Sequence, residues 1–232
     1  MDARSYLTKV GLVVDVSAVR EAQQGLWAIL EEAKKASLPA TPSALNALYT
    51  YKVPKLSADG KCSLNDELDP VAYDLSKVLG GRSVQNSFAL ITIDALVESV
   101  HQSTGCDWLG VYQKRDLPSG PMLVKLAYRG ADSRPEFPLT EDFAKTSNNA
   151  AVGLSGKARV LQDVRAHVAG GGAYYECDPR VQSEVCLPLL DHNGKVVGIL
   201  DAESTNPSHF TPGRMAMLVS LATESTSHLP PR

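Results

Sequence analysis

Cysteine is scarce in this chain of 232 residues, and its few occurrences form no known pattern. Only Cys62, Cys106, Cys177 and Cys186 are present, no two of them have CxxC spacing, and no histidine stands near enough to complete a zinc signature. In a reducing compartment such residues stay thiols. We therefore expect no structural disulfide, no metal and no cofactor.

Long apolar runs and an excess of one charge are also missing. No uninterrupted apolar run approaches the roughly 20 residues of a membrane helix, and Asp15 interrupts the short apolar stretch Val10–Val16, which argues against a signal peptide. The net charge of -3 gives no electrostatic reason to bind nucleic acid or an anionic membrane. These features predict a cytoplasmic protein with neither partner.

Apolar residues make up 44% of the chain, which is enough to bury a core. The N-terminal part predicts a helix followed by an irregular, turn-rich linker from Ala58 to Arg82. Residues 1–84 are therefore assigned to a helical and irregular extension. The first helix is predicted from the spacing of Val19, Gln23, Leu26, Leu30 and Ala33, with Ser17 as its cap and Pro39 and Pro42 after its end.

Residues 85–232 predict one antiparallel sheet with helices packed on it, an α/β fold of the α+β type. A helix from about Val84 to Ser103 precedes the strands, and a last helix begins at Thr211. The long helix is expected to bury Phe88, Ile91, Ala95 and Val100. The remaining elements are strands at Trp108–Gln113, Met122–Tyr128 and Arg159–Val164, a short helix at Asn149–Ala158, a loop at Arg165–Asp178, and strand-like runs at Val181–Asp191 and Lys195–Ser204.

The last two strands flank Asn193-Gly194, which favours a two-residue type I′ hairpin turn. Counting outward from that turn pairs Cys186 with Asp201 and Glu184 with Glu203. Because side chains alternate between the faces of a sheet, all four project from one face. Val185, Leu187, Leu189, Val196, Leu200 and Ala202 form the opposite, apolar face.

Directly opposed carboxylates destabilise a sheet, so this acidic face needs an explanation. One interpretation is that this face is solvated and that solvent screens the charges. The other is that the face binds a cationic group, or that one of its acids stays protonated. A protonated carboxyl donates a hydrogen bond. On the neighbouring strand, Trp108 and Tyr112 flank Gly110 and form either a slot for a slim ligand or part of the core.

Cys177 lies at the end of the glycine-rich loop, where a thiol is accessible. Together these pieces resemble the free methionine-(R)-sulfoxide reductases, which are single GAF domains, over about residues 85–228. The resemblance is carried by Asp107–Tyr112, by Cys177-Asp178 with Ser183–Leu189, and by Gly198–Ser204. It implies a GAF-like sheet in the domain 85–232.

The resemblance also implies roles for site residues. Cys177 matches the catalytic cysteine, which attacks the sulfoxide sulfur and becomes a sulfenic acid. The acids match groups that bind the substrate and assist sulfoxide protonation, with Glu203 where the family usually has Asp. The implied catalytic residues are Cys177, Glu184, Asp201 and Glu203, and the implied substrate-binding residues are Trp108, Tyr112 and Asp178.

The family usually has two further cysteines that resolve the sulfenic acid, and this chain has Asn149 at one of those positions. Cys186, or less directly Cys62, is the resolving candidate here, and thioredoxin or a small thiol is the expected reductant. The extension is left with three roles, which are a homodimer interface, a cover for the pocket or a partner-binding segment. The alternative function is a non-catalytic GAF module that binds a small molecule for sensing or assembly.

Overall fold

The computed structural model describes residues 1–35, 41–55 and 67–232. Its helices and strands follow one another in an N-terminal helical region and then a mixed helix and strand region. The helices are α1 (Ala3–Val10), α2 (Val16–Lys35), α3 (Pro42–Ala47), α4 (Val84–Thr104), α5 (Asn148–Ser155), α6 (Val164–Ala169) and α7 (Pro212–Ser225). The strands are β1 (Thr50–Tyr51), β2 (Tyr73–Asp74), β3 (Trp108–Leu117), β4 (Gly120–Arg129), β5 (Glu136–Pro138), β6 (Arg159–Leu161), β7 (Ser183–Leu190) and β8 (Val196–Ser204).

The predicted antiparallel sheet is confirmed. Six strands pair in the order β5-β4-β3-β8-β7-β6, and every pair of neighbours is antiparallel. Helices α4 and α7 pack on one face over the larger hydrophobic core, and α5 lies against the other face over a smaller aromatic cluster. In the described ranges, no helix combines the length and the apolar character needed to cross a membrane.

The N-terminal helices continue the large core. Helix α2 packs on α7 and α4, and α1 reaches β7. The Tyr6 hydroxyl donates to the Pro188 carbonyl oxygen at 2.8 Å, beyond the residues of β7 that β6 pairs. The boundary at residue 84 stays a prediction, but the described part of 1–84 shares buried contacts with the rest of the chain. Pro39 and Cys62 lie outside the described residues.

Two helical details of the prediction are wrong. Helix α2 is capped by Asp15, whose carboxylate accepts from the Ser17 N–H at 2.8 Å, because Ser17 is already inside the helix. Helix α4 buries Val100 as predicted, but Ile91 and Ala95 are only partly buried and Phe88 is 37% exposed. This helix is apolar on several sides, so periodicity alone does not locate its core face. Its buried apolar positions are Leu90, Ile93, Leu96, Val97 and Val100.

The hairpin has the predicted register but not the predicted turn. Cys186 lies opposite Asp201 and Glu184 opposite Glu203, as counted from the sequence. The loop contains three residues, 192–194, closed by the Asp191 N–H donating to the Lys195 carbonyl oxygen at 2.9 Å. Gly194 takes φ +74°, which suits such a loop, and a bulge next to Leu190 restores the register.

The stretch predicted as one strand and a loop is divided differently. Strand β6 ends at Leu161, and helix α6 occupies Val164–Ala169 within the predicted loop. Asp163 caps this helix by accepting from the Ala166 N–H at 2.8 Å. The helix has only six residues, too few for an apolar stripe, which is why periodicity did not reveal it.

Candidate functional site

Three neighbouring strands of the sheet bring the candidate residues to one place. Glu203 on β8 lies between Trp108 on β3 and Glu184 on β7, while Asp201 is flanked by Gly110 and Cys186. All of these positions face α5 and the chain around residues 174–178, on the side opposite the large core. The strand register therefore assembles the three predicted acids on one face.

The acidic face is not wet, so the solvent-screened interpretation is wrong. Glu184 is 5% exposed and Asp201 is 3% exposed, whereas Glu203 is partly buried. Burial raises the pKa of the Asp201 carboxyl well above its ordinary value, and the nearby Glu184 raises it further. Burial also raises the pKa of Glu184, although hydrogen bonds from Asn148 and Tyr174 oppose that increase.

Asp201 has one occupied and one unoccupied carboxyl oxygen. The Asn149 side-chain amide donates to its Oδ2 at 3.1 Å. Within the described residues, Asp201 Oδ1 and Asn149 Oδ1 are buried and have no hydrogen-bond partner. A buried acceptor of this kind costs stability unless a donor reaches it. The pair is therefore suited to a ligand that brings N–H or O–H groups.

Of the two interpretations of the aromatic strand, the structure favours core residues over an open slot. A Cβ built on Gly110 would lie 2.2 Å from the Trp108 ring, so the indole already covers the glycine. Trp108 and Tyr112 are both buried, and their ring centroids are 6.2 Å apart. The indole N–H donates to the Ala131 carbonyl oxygen at 3.1 Å. Gly110 is needed because only it leaves room for this ring.

Trp108 also lines a cleft of about 800 Å³ beside this aromatic cluster. Cys177 is partly buried and packs against the same cluster. Pro54 and Leu68 of the N-terminal region contribute to the cleft wall. The lining includes Trp108, Ala131, Ser133, Cys177, Asp178 and Glu203. The predicted nucleophile and one predicted acid therefore share a cleft.

Two predicted site residues have local roles in the structure. Arg180 holds the Asp178 carboxylate with contacts of 2.7 to 3.1 Å and lowers its pKa. Cys186 is completely buried, and burial, followed by the charge of Asp201, raises the pKa of its thiol well above the ordinary value. A thiolate at Cys186 is thus disfavoured in this conformation. Whether Cys186 resolves a sulfenic acid stays a prediction.

Sequence reasoning missed several residues of the site. Tyr174 donates a hydrogen bond to Glu184, and Arg159 donates to Asn148 Oδ1 at 2.9 Å beside the same carboxyl. These contacts join different elements and follow no helical or strand spacing, so no local pattern reveals them. The nearest signal is the Tyr174-Tyr175 pair just before Cys177. In residues 1–35, 41–55 and 67–232, no three metal-binding side chains form a potential metal site.

The six-stranded antiparallel sheet, with helices packed on it, defines a class of α+β domain. The family model described as GAF domain matches residues 90–226, which is more than half of the chain. The chain therefore belongs to the GAF domain family. No curated protein sequence matches it.

Solved structures similar to this chain include reductases and other GAF domains. A type II free methionine-R-sulfoxide reductase from Thermoplasma acidophilum has 22% identity over 62% of this chain and 94% of its own, with a TM-score of 0.53. The reductase from Neisseria meningitidis has 18% identity over 66% and 84%, with a TM-score of 0.48. The GAF domain of an Acinetobacter phosphoenolpyruvate-protein phosphotransferase has 17% identity over 60% of this chain and 80% of its own, with a TM-score of 0.48. The first of these supports the fold.

Proposed function

We propose that this GAF domain binds a small polar ligand carrying an ammonium group and reduces free methionine-(R)-sulfoxide through Cys177. The observation that carries the proposal is the buried pair Glu184 and Asp201 on the same sheet face as Glu203, which lines one cleft with Cys177. The Thermoplasma reductase shares this fold. The chemical support for the proposal comes from these four side chains.

The acids suit two tasks in the proposed reaction, which are ammonium binding and proton donation. An ionised carboxylate attracts an ammonium group, and Glu203 is the acid of the trio that lines the cleft with Cys177. The buried, unpartnered Asp201 Oδ1 and Asn149 Oδ1 would accept N–H bonds from a ligand that reaches past Glu203. A carboxyl whose pKa is raised by burial keeps its proton at higher pH and donates it to a developing oxyanion. We assign proton donation to the Glu184–Asp201 pair and ammonium binding to the acid that remains ionised.

The proposed reaction balances with a thiol as reductant. The Cys177 sulfur attacks the sulfoxide sulfur while the carboxyl pair protonates the sulfoxide oxygen. The oxygen is transferred, so methionine leaves and Cys177 becomes a sulfenic acid. One external thiol then forms a mixed disulfide with release of water, and a second restores Cys177 as the external disulfide leaves. Two thiols are oxidised for each sulfoxide reduced.

A non-catalytic small-molecule sensor is the second candidate. It is favoured by Asn149, which stands where the reductase resemblance expects a resolving cysteine and instead hydrogen-bonds Asp201. In that case the cleft, with Glu203 in its lining, binds a cationic ligand without turnover. We also propose that a thiol is the reductant and that the domain forms a homodimer.

The test is a turnover assay with each sulfoxide epimer and dithiothreitol, measuring methionine released. We expect release from the R epimer only, and we expect Cys177→Ser to abolish it. Cys106→Ser is the matched control, since Cys106 is a buried thiol that belongs to the large core rather than the cleft cluster. Release at the parental rate by the Cys177 variant would refute the assignment. No release by the parent, with thermal stabilisation by a cationic small molecule, would favour the sensor.

A further inference from the structure

Arg134 occupies an unusual position for an arginine. It lies in the loop between β4 and β5, and its side chain is buried. The guanidinium carbon is 5.2 Å from the ring centroid of Phe137, 5.3 Å from that of Phe143 and 5.9 Å from that of Tyr175. A guanidinium surrounded by aromatic faces is stabilised by cation–π attraction and stays charged.

The same guanidinium joins two segments that are far apart in sequence. Its Nη1 donates to the Tyr175 hydroxyl at 3.0 Å, and its Nε donates to the Glu136 carbonyl oxygen. The Tyr175 N–H in turn donates to the Thr146 carbonyl oxygen at 2.9 Å. Arg134 therefore ties the β4–β5 loop to the segment that precedes Cys177.

Both of these segments contribute residues to the wall of the cleft. Ala131 and Ser133 line it from the β4–β5 loop, and Cys177 and Asp178 line it from the other loop. Tyr175 is only two residues before Cys177. The Asp178–Arg180 ion pair lies within a single loop, so this pair does not itself join the two segments. The Arg134–Tyr175 hydrogen bond does span the two segments.

We propose that Arg134 is a positioning residue that clamps the Cys177 loop to the β4–β5 loop and thereby sets how readily the Cys177 thiol is exposed. A movement that widens the cleft at this point has to break the charge-assisted hydrogen bond and withdraw Tyr175 from the guanidinium. The clamp operates whether the cleft catalyses or only binds, so it stands independently of the proposed function.

The test measures the alkylation rate of Cys177 by iodoacetamide, resolved by peptide mass spectrometry so that the other thiols do not interfere. Tyr175→Phe removes the hydroxyl but keeps the ring, and we expect labelling about tenfold faster, as for the loss of a hydrogen bond to a charged group that limits local opening. Arg134→Lys keeps the charge without the two-pronged geometry and should show a similar increase. Lys145→Ala is the control, because this exposed residue lies on the neighbouring turn.

Comparing the double variant with the single variants distinguishes loss of this one contact from a general destabilisation of the loop. If the two residues act through one contact, the Tyr175→Phe and Arg134→Lys double variant labels no faster than the faster single variant. Near-ultraviolet circular dichroism checks that the aromatic packing survives. Labelling of natively folded Tyr175→Phe at the parental rate would overturn the clamp, even if Arg134→Lys fails to fold. Strictly multiplicative effects in the double variant would also overturn it.

Discussion

Replacing Asp201 with Asn tests the physical state of the acidic face more directly than any assay of function. Asp201 is almost completely buried, and burial is the main cause of its raised pKa, with Glu184 as the second cause. Asn has nearly the same shape and no charge to bury. Its amide also supplies a donor for Asn149 Oδ1, which lacks one within the described residues.

The sign of the effect follows from proton linkage. The folded protein holds the Asp201 proton at pH values where the unfolded chain, with an ordinary pKa of 3.8, has released it. Stability of the parent protein therefore falls as the pH rises from 3.8 through the higher folded pKa. The Asn variant lacks this loss. It should match the parent near the acid end and exceed it at neutral pH by about 1.4 kcal/mol for each pH unit that separates 3.8 from the folded pKa.

The assay is urea unfolding of both proteins at a series of pH values from 4 to about 8, because unfolding midpoints compare stability at each pH. Asp116→Asn is the matched control on β3. Because Asp116 is exposed, the difference in stability between this variant and the parent should not grow with pH. In a Glu184→Gln background, the pH-dependent gain should shrink because one cause of the raised pKa is gone. An Asp201→Asn variant that is less stable than the parent at pH 8 would show that the carboxylate is well solvated or paired.

Two further substitutions test the packing that positions the site. Gly110→Ala should destabilise the fold by about 1–3 kcal/mol and change Trp108 fluorescence, because the new methyl group meets the indole at 2.2 Å; an unchanged spectrum and midpoint would contradict this close contact. Tyr6→Phe should cost about 1–2 kcal/mol in thermal or urea unfolding, because the buried Pro188 carbonyl loses its donor. Unchanged stability there would mean that α1 does not protect the open edge of β7.

The register of the β7–β8 hairpin was predictable because two local rules agree. Alternation of apolar and polar residues fixes which face each side chain takes, and the Asn193-Gly194 step locates the reversal. The prediction of the turn itself failed, yet Cys186 still lies opposite Asp201 since a bulge offsets the extra loop residue. Core burial selects the face strongly, so the sheet keeps its register and adjusts the turn.

The rest of the site depends on contacts that no local rule contains. Asn149 reaches Asp201 from a helix more than fifty residues earlier, and Arg134 reaches Tyr175 from the β4–β5 loop. The covering of Gly110 by Trp108 is likewise a choice of rotamer that the surrounding rings impose. Burial of the acids was equally hidden, because acids on a strand are compatible with both a wet face and a covered one.

The buried pair of acids suits both of the candidate functions. Two carboxyls buried close together do not lose their protons at the same pH. The pair therefore retains one proton at pH values between the first and the second deprotonation. The ionised member attracts an ammonium group, which a sensor needs, while the protonated member donates to an oxyanion, which a reductase needs. One arrangement thus serves both functions. The discriminating group is Cys177, because only the reductase requires its sulfur to change oxidation state.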